Sequence, residues 1–114
     1  MSQAQSKNMR LIAQHKLDGF GNMGEGMGLQ LPKDGRRIMW LAHESPPKNF
    51  TGVDVTDIKN PKIIVQTDLP HQNVRSNSLE VCGDLLVVAY QTTALGLKPA
   101  GIDIFDISDP ENPK

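Results

Sequence analysis

Apolar residues gather along this chain in short runs of strand length, separated by polar stretches rich in glycine and proline. LLVVAYQ (85–91) is continuous, partly β-branched and too short for a typical helix, which suits a strand buried on both faces. NSLEV (77–81) precedes it as a shorter strand. CGD (82–84) between them reads as a tight turn, with Gly83 able to take positive φ. A polar loop with Gly96, Pro99 and Gly101 leads into a third strand, IDIFDI (102–107). DPENPK (109–114) then opens a turn. Upstream, PKIIVQTDL (61–69) reads as a fourth strand following an earlier set of three. No segment carries sustained helical periodicity.

The chain also repeats itself. GVDVTDIKNP (52–61) and GIDIFDISDP (101–110) align at an offset of 49 and share Gly52/Gly101, Asp54/Asp103, Asp57/Asp106, Ile58/Ile107 and Pro61/Pro110. RIMWLAHE (37–44) matches DLLVVAYQ (84–91) at 47, with Ala42 opposite Ala89. LIAQHKL (11–17) echoes IIVQTDL (63–69) at 52, with Gln14/Gln66 and Leu17/Leu69 identical. Offsets that drift in this way mark loop insertions in a unit of about 50 residues. The ending D-I-x-[DN]-P is turn chemistry: Asp accepts backbone N–H groups, and Pro cannot donate to a ladder.

Four short strands in a unit of roughly 45 residues are the mark of a β-propeller blade. An apolar strand ending in Ala-His or Ala-Tyr, followed by G-[IV]-D-[IV]-x-D-I-x-[DN]-P, resembles the LVIVD-repeat proteins over about residues 11–114. That resemblance implies a bacterial or archaeal β-propeller, a class mostly without assigned activity, and its motif describes a blade rather than a site. The expected fold is therefore all-β: a β-propeller fragment of about two four-stranded antiparallel blades, incomplete. Residues 1–8 are expected to be frayed, with repeat units at 18–69 and 70–114, the second lacking its last strand. Residues 11–17 would be the fourth strand of a preceding blade. Propellers close with about four to eight blades, so the expectation is an N-terminal piece of a longer propeller, or a chain that assembles with copies of itself. Uncovered sheet flanks predict self-association of the isolated chain.

Composition narrows the picture. Only 4% of residues are aromatic against 38% hydrophobic, so aliphatic side chains must fill most of the core. A net charge of −1 argues against a nucleic-acid partner. No stretch approaches the roughly 18 apolar residues of a membrane span. The N-terminal residues lack the apolar core of a secretory signal, which favours a cytoplasmic location. The single Cys82 has no internal disulfide partner and reads as a small buried hydrophobe.

Candidate chemistry follows from the repeat register. In a four-stranded blade, the fourth-to-first and second-to-third loops share one face. That places Glu25, His43, Glu44, His71 and Arg75 together as candidate ligand-binding residues. His43, His71 and a carboxylate from Glu44 or Glu25 are N/O donors of the kind that hold a divalent metal. GFGNMG (19–24) is a literal G-x-G-x-x-G, but Gly26, Gly28 and Pro32 oppose the helix that dinucleotide binding requires, so its glycines are expected to let backbone pass close to something. His15 is expected on an outer strand facing solvent. The Asn49-Phe50-Thr51 sequon reads as accidental, and Arg36-Arg37 as solubilising charge. The favoured function is a scaffold binding a protein or small-molecule ligand. The alternative is a metal-dependent enzyme with its site at the channel mouth.

Overall fold

The computed structural model describes residues 7–114. The frayed terminus expected over 1–8 therefore lies, up to residue 6, outside the described residues. The strands are β1 (Met23–Gln30), β2 (Ile38–His43), β3 (Lys48–Asp54), β4 (Lys62–Asp68), β5 (Val74–Cys82), β6 (Leu85–Thr92) and β7 (Gly101–Asp106). They form two antiparallel sheets, ordered β1-β2-β3-β4 and β5-β6-β7. The fold is all-β apart from a short 3₁₀ turn at Leu17–Gly19. Among the described residues, no helix is long and apolar enough to cross a membrane.

The sheets stack face to face. Ile38, Trp40 and Ala42 of β2 and Phe50 of β3 meet Leu79, Leu86 and Val88 of the second sheet and Ile107 just beyond β7. The two aromatic contacts run edge-to-face through Phe50, to Trp40 at 5.7 Å and across the sheets to Phe105 at 5.1 Å. Three aromatic rings thus anchor a core otherwise built from aliphatic residues.

β1 carries Gly24, Gly26 and Gly28 along the face turned to β5. A Cβ on Gly26 would fall well inside contact with the Leu79 backbone nitrogen, and one on Gly28 would lie 2.6 Å from Val81 Cγ2. The close approach expected of this glycine-rich stretch is therefore the approach of one strand to the next sheet. Gln30 closes the interface at one end. It is 1% exposed, accepts from Trp40 Nε1 at 2.9 Å and donates to the Ile107 carbonyl at 2.7 Å and to Asp84 Oδ1 at 3.1 Å. Arg36, expected to be a solubilising charge, also bridges the sheets by pairing with both Asp34 and Glu111.

The hydrogen bonds re-register the repeat. Asp54 opposes Lys62 in the β3–β4 ladder, and Asp106 exchanges backbone bonds with Lys114. Val55 donates to Arg37 and Ile107 to Asp84. In the turns that follow, Asn60 bonds Asp57 through backbone and side chain, and Asn112 bonds Asp109 in the same way. DVTDIKNPK (54–62) thus superposes on DISDPENPK (106–114) at an offset of 52, not 49. The two frames compete in sequence because aspartates recur every third residue at Asp103, Asp106 and Asp109.

Other expectations change as well. Residues 11–16 form no strand: β4, their sequence counterpart, has β3 to pair with, and they have no neighbouring strand. His15 is exposed but not on a strand, and its Nδ1 accepts the Leu17 N–H. β6 is not buried on both faces; Leu86 and Val88 are buried while Leu85 is exposed, because only one face of its sheet is covered. Cys82 is exposed at the strand end rather than buried. The β5–β6 turn does use Gly83 at φ +58°.

Candidate functional site

The β2–β3, β4–β5 and β6–β7 loops meet at one end of the stacked sheets and enclose a cleft of about 490 Å³. Glu44, Ser45 and Pro46 form one wall; Gln72, Arg75 and Gln91 line the other, with Thr92 and Thr93 beside them. The shared face predicted from the loop order is thus present.

Arg75 stands at the centre of the polar wall. Its Nη1 donates to Glu44 Oε1, while Nε and Nη2 donate to Gln91 Oε1 at 3.0 and 2.6 Å. The Glu44 and Arg75 side chains are about two-fifths and one-third exposed, so the pair positions more than it stabilises. Two acceptors from two sheets fix the plane of one guanidinium. Asn22 holds the Glu44 end, donating from Nδ2 to Ser45 Oγ at 2.8 Å and accepting the Glu44 N–H at 2.9 Å.

His43 lies beneath the cleft rather than in it. It is 1% exposed, and its Nε2 sits 2.7 Å from Thr51 Oγ1. Gln66 Nε2 donates to the same hydroxyl at 3.0 Å, which leaves Thr51 to give its own proton to the imidazole. Burial and the nearby Lys48 charge hold the His43 pKa below 6.5, with the Phe20 backbone opposing them. His43 is therefore a neutral core histidine at pH 7. Around it, Ser76 Oγ donates to the Asn49 carbonyl and accepts the His43 N–H at 3.3 Å. Asn49 Nδ2 reaches the Tyr90 hydroxyl at 3.0 Å. Burial, together with Asp103, pushes the Tyr90 pKa up to about 12 against the opposing bond to Asn49.

His71 is separate again. Its Nδ1 accepts the Asn73 N–H at 3.1 Å, so Nε2 carries the proton and donates to the Lys98 carbonyl. Glu25 is exposed on β1 and does not line the cleft. The structure therefore brings Glu44 and Arg75 together and leaves Glu25, His43 and His71 apart. His43, His71 and Glu44 do not form a ligand set, because both imidazoles already spend their nitrogens on protein partners. Among the described residues, no group of three His, Cys, Asp or Glu side chains is arranged to hold a metal.

Sequence reasoning missed Gln91, Gln72 and Gln30. Gln91 had a usable signal: it is the polar residue that ends an apolar strand at the head of a loop already assigned to this face. Gln30 had none, since its partners are 54 and 77 residues away.

Comparison of the chain with protein-family models, with curated proteins and with solved structures finds no match.

Proposed function

We propose that this chain is part of an LVIVD-repeat β-propeller that acts as a binding scaffold, with its ligand seated in the cleft beside Arg75. Support for the propeller comes from two successive antiparallel sheets, related by an internal repeat and stacked face to face. The observation that carries the binding reading is the cleft itself. At about 490 Å³ it has the size of a small-molecule site, and its one cation is fixed by Glu44 and Gln91 before any ligand arrives. No nucleophile and base stand together there. The ligand is one with a hydrogen-bond acceptor or anionic group for Arg75 and polar groups for Gln72 and Thr92.

The test is a ligand-observed NMR screen of a library of polar and carboxylate-bearing fragments. Fragments that shift the Gln91, Thr92 and Arg75 resonances, and lose binding in Arg75→Ala, support the reading. A library that leaves those resonances in place, or binds Arg75→Ala equally well, contradicts it.

A further inference from the structure

We propose that copies of this chain join head to tail, residues 11–17 of one copy adding as a fourth strand along β7 of the next. The inference rests on the repeat register and not on the ligand reading.

The first sheet has four strands, whereas the second has three and leaves β7 as an edge. Edges of this kind recruit a further strand. The chain holds a segment of matching sequence: residues 11–17 are the counterpart of β4 at the offset of 52 that the turns obey. They run outside any sheet, with Leu11 66% and Ile12 50% exposed.

The register closes without adjustment. Lys62 begins β4 opposite Asp54, and Lys114 stands opposite Asp106 in the same relation, with backbone bonds of 2.7 and 3.0 Å. The next position along β4 is Ile63, whose counterpart is Leu11. The β3–β4 ladder pairs Val53 with Ile63, Gly52 with Val65 and Thr51 with Gln66. Carried over, it pairs Phe105 with Leu11, Ile104 with Ala13 and Asp103 with Gln14 of the second copy. Gln66 donates to Thr51 across the existing ladder at 3.0 Å. In the new one, Gln14 would donate to the Asp103 carboxylate.

The same contact covers the apolar faces. Leu85, Ile102 and Ile104 are 47%, 60% and 60% exposed on the outer face of the second sheet. Leu85 and Ile102 occupy the positions that Ile38 and Phe50 hold in the first, where both are buried against the second sheet. The surface to meet them is the back of β1 and β2 in the next copy, where Met27 and Leu29 are 63% and 51% exposed. Residues 10–13 already lie against that back, beside Met39, Val55 and Ile58. A copy that docks this face therefore delivers its strand to β7. Because the interface is heterologous, it repeats and closes into a ring if its rotation allows.

The test uses the full 114-residue chain with Cys82→Ser. One variant carries Ala13→Cys and another Ile104→Cys. A directly opposed pair has Cα atoms about 4.5–5.5 Å apart, within disulfide range. Mixed under mild oxidation, the two should form a heterodimeric disulfide faster than Ala13→Cys mixed with Leu95→Cys. Equal rates would overturn the proposal. Light scattering should give the parent chain a mass at least twice that of the monomer, and Ala13→Pro, which removes a ladder donor outside any strand of its own copy, should return it to monomer. A parent chain monomeric at every concentration would overturn it. So would assembly that survives Ala13→Pro with the Trp40 environment intact.

Discussion

Ile38 and Leu85 hold the same place in the two sheets, yet Ile38 is fully buried and Leu85 is 47% exposed. The same holds for Phe50, buried, and Ile102, 60% exposed. Strand type, register and side-chain class are alike in each pair; what differs is whether another sheet lies on that face. Apolar alternation therefore builds the strand, and the stacking partner decides what the strand is worth. The inner strands show the converse. β1 presents Gly24, Gly26 and Gly28 to its neighbour, while β5 carries Ser76, Ser78 and Glu80 at the matching positions. Only the first sheet is thinned to let a backbone come so near.

Substitutions at matched positions should separate these effects. The largest difference belongs to Trp40 and its counterpart Val87. Trp40→Ala empties the centre of the inter-sheet core and should cost about 3–5 kcal/mol in urea unfolding, whereas Val87→Ala on the half-covered face should cost about 1 kcal/mol or less. Next comes Gly26 against Ser78. Gly26→Val forces β1 off the Leu79 backbone and should cost about 1–3 kcal/mol, while Ser78→Val, exposed, should stay within about 0.5 kcal/mol of the parent. Gln30→Leu should cost about 1–3 kcal/mol, because it orphans Trp40 Nε1 and the Ile107 carbonyl. Its counterpart Cys82 is exposed, and Cys82→Ser should be silent.

The smallest expected effect is a pH slope. His43 has its pKa lowered in the folded chain, so the unfolded chain takes up the proton first as pH falls. Stability should be full above pH 6.5 and decline as pH drops from there through the folded value. His43→Gln should flatten that decline in a thermal series from pH 7.5 to about pH 5. The turn aspartates act in a lower window. Asn60 and Lys59 hold Asp57 below 3.8, and Asn112 and Glu111 do the same for Asp109, so their contribution persists above that value and is lost beneath it.

The strands and the shared loop face were legible because both depend on local pattern. Period-two alternation marks strands, and the order of strands assigns loops to an end. The Asp57 and Asp109 turns were legible for the same reason. What stayed hidden was set by distance and competition. The frame of the repeat could not be fixed while aspartates at every third residue offered two equal alignments; only the ladder bonds of Asp54 and Asp106 decide between them. His43 looked like a ligand because its residue type suits one. Its burial beneath Thr51 and Gln66 follows from strand β2 carrying it inward, which no local pattern records. Residues 11–17 resemble a strand and lack a neighbour to pair with, so their sequence describes a role that the chain by itself does not complete.

The central claim is that the sheets stack through the glycine-lined strand. A nuclear Overhauser spectrum of the full chain tests it most directly. The account predicts a strong cross-peak between Gly26 Hα and the Leu79 amide, with ring contacts between Phe50 and Phe105. Ladder cross-peaks within each sheet but none between Gly26 and Leu79 would show two sheets that form without stacking, and would contradict it.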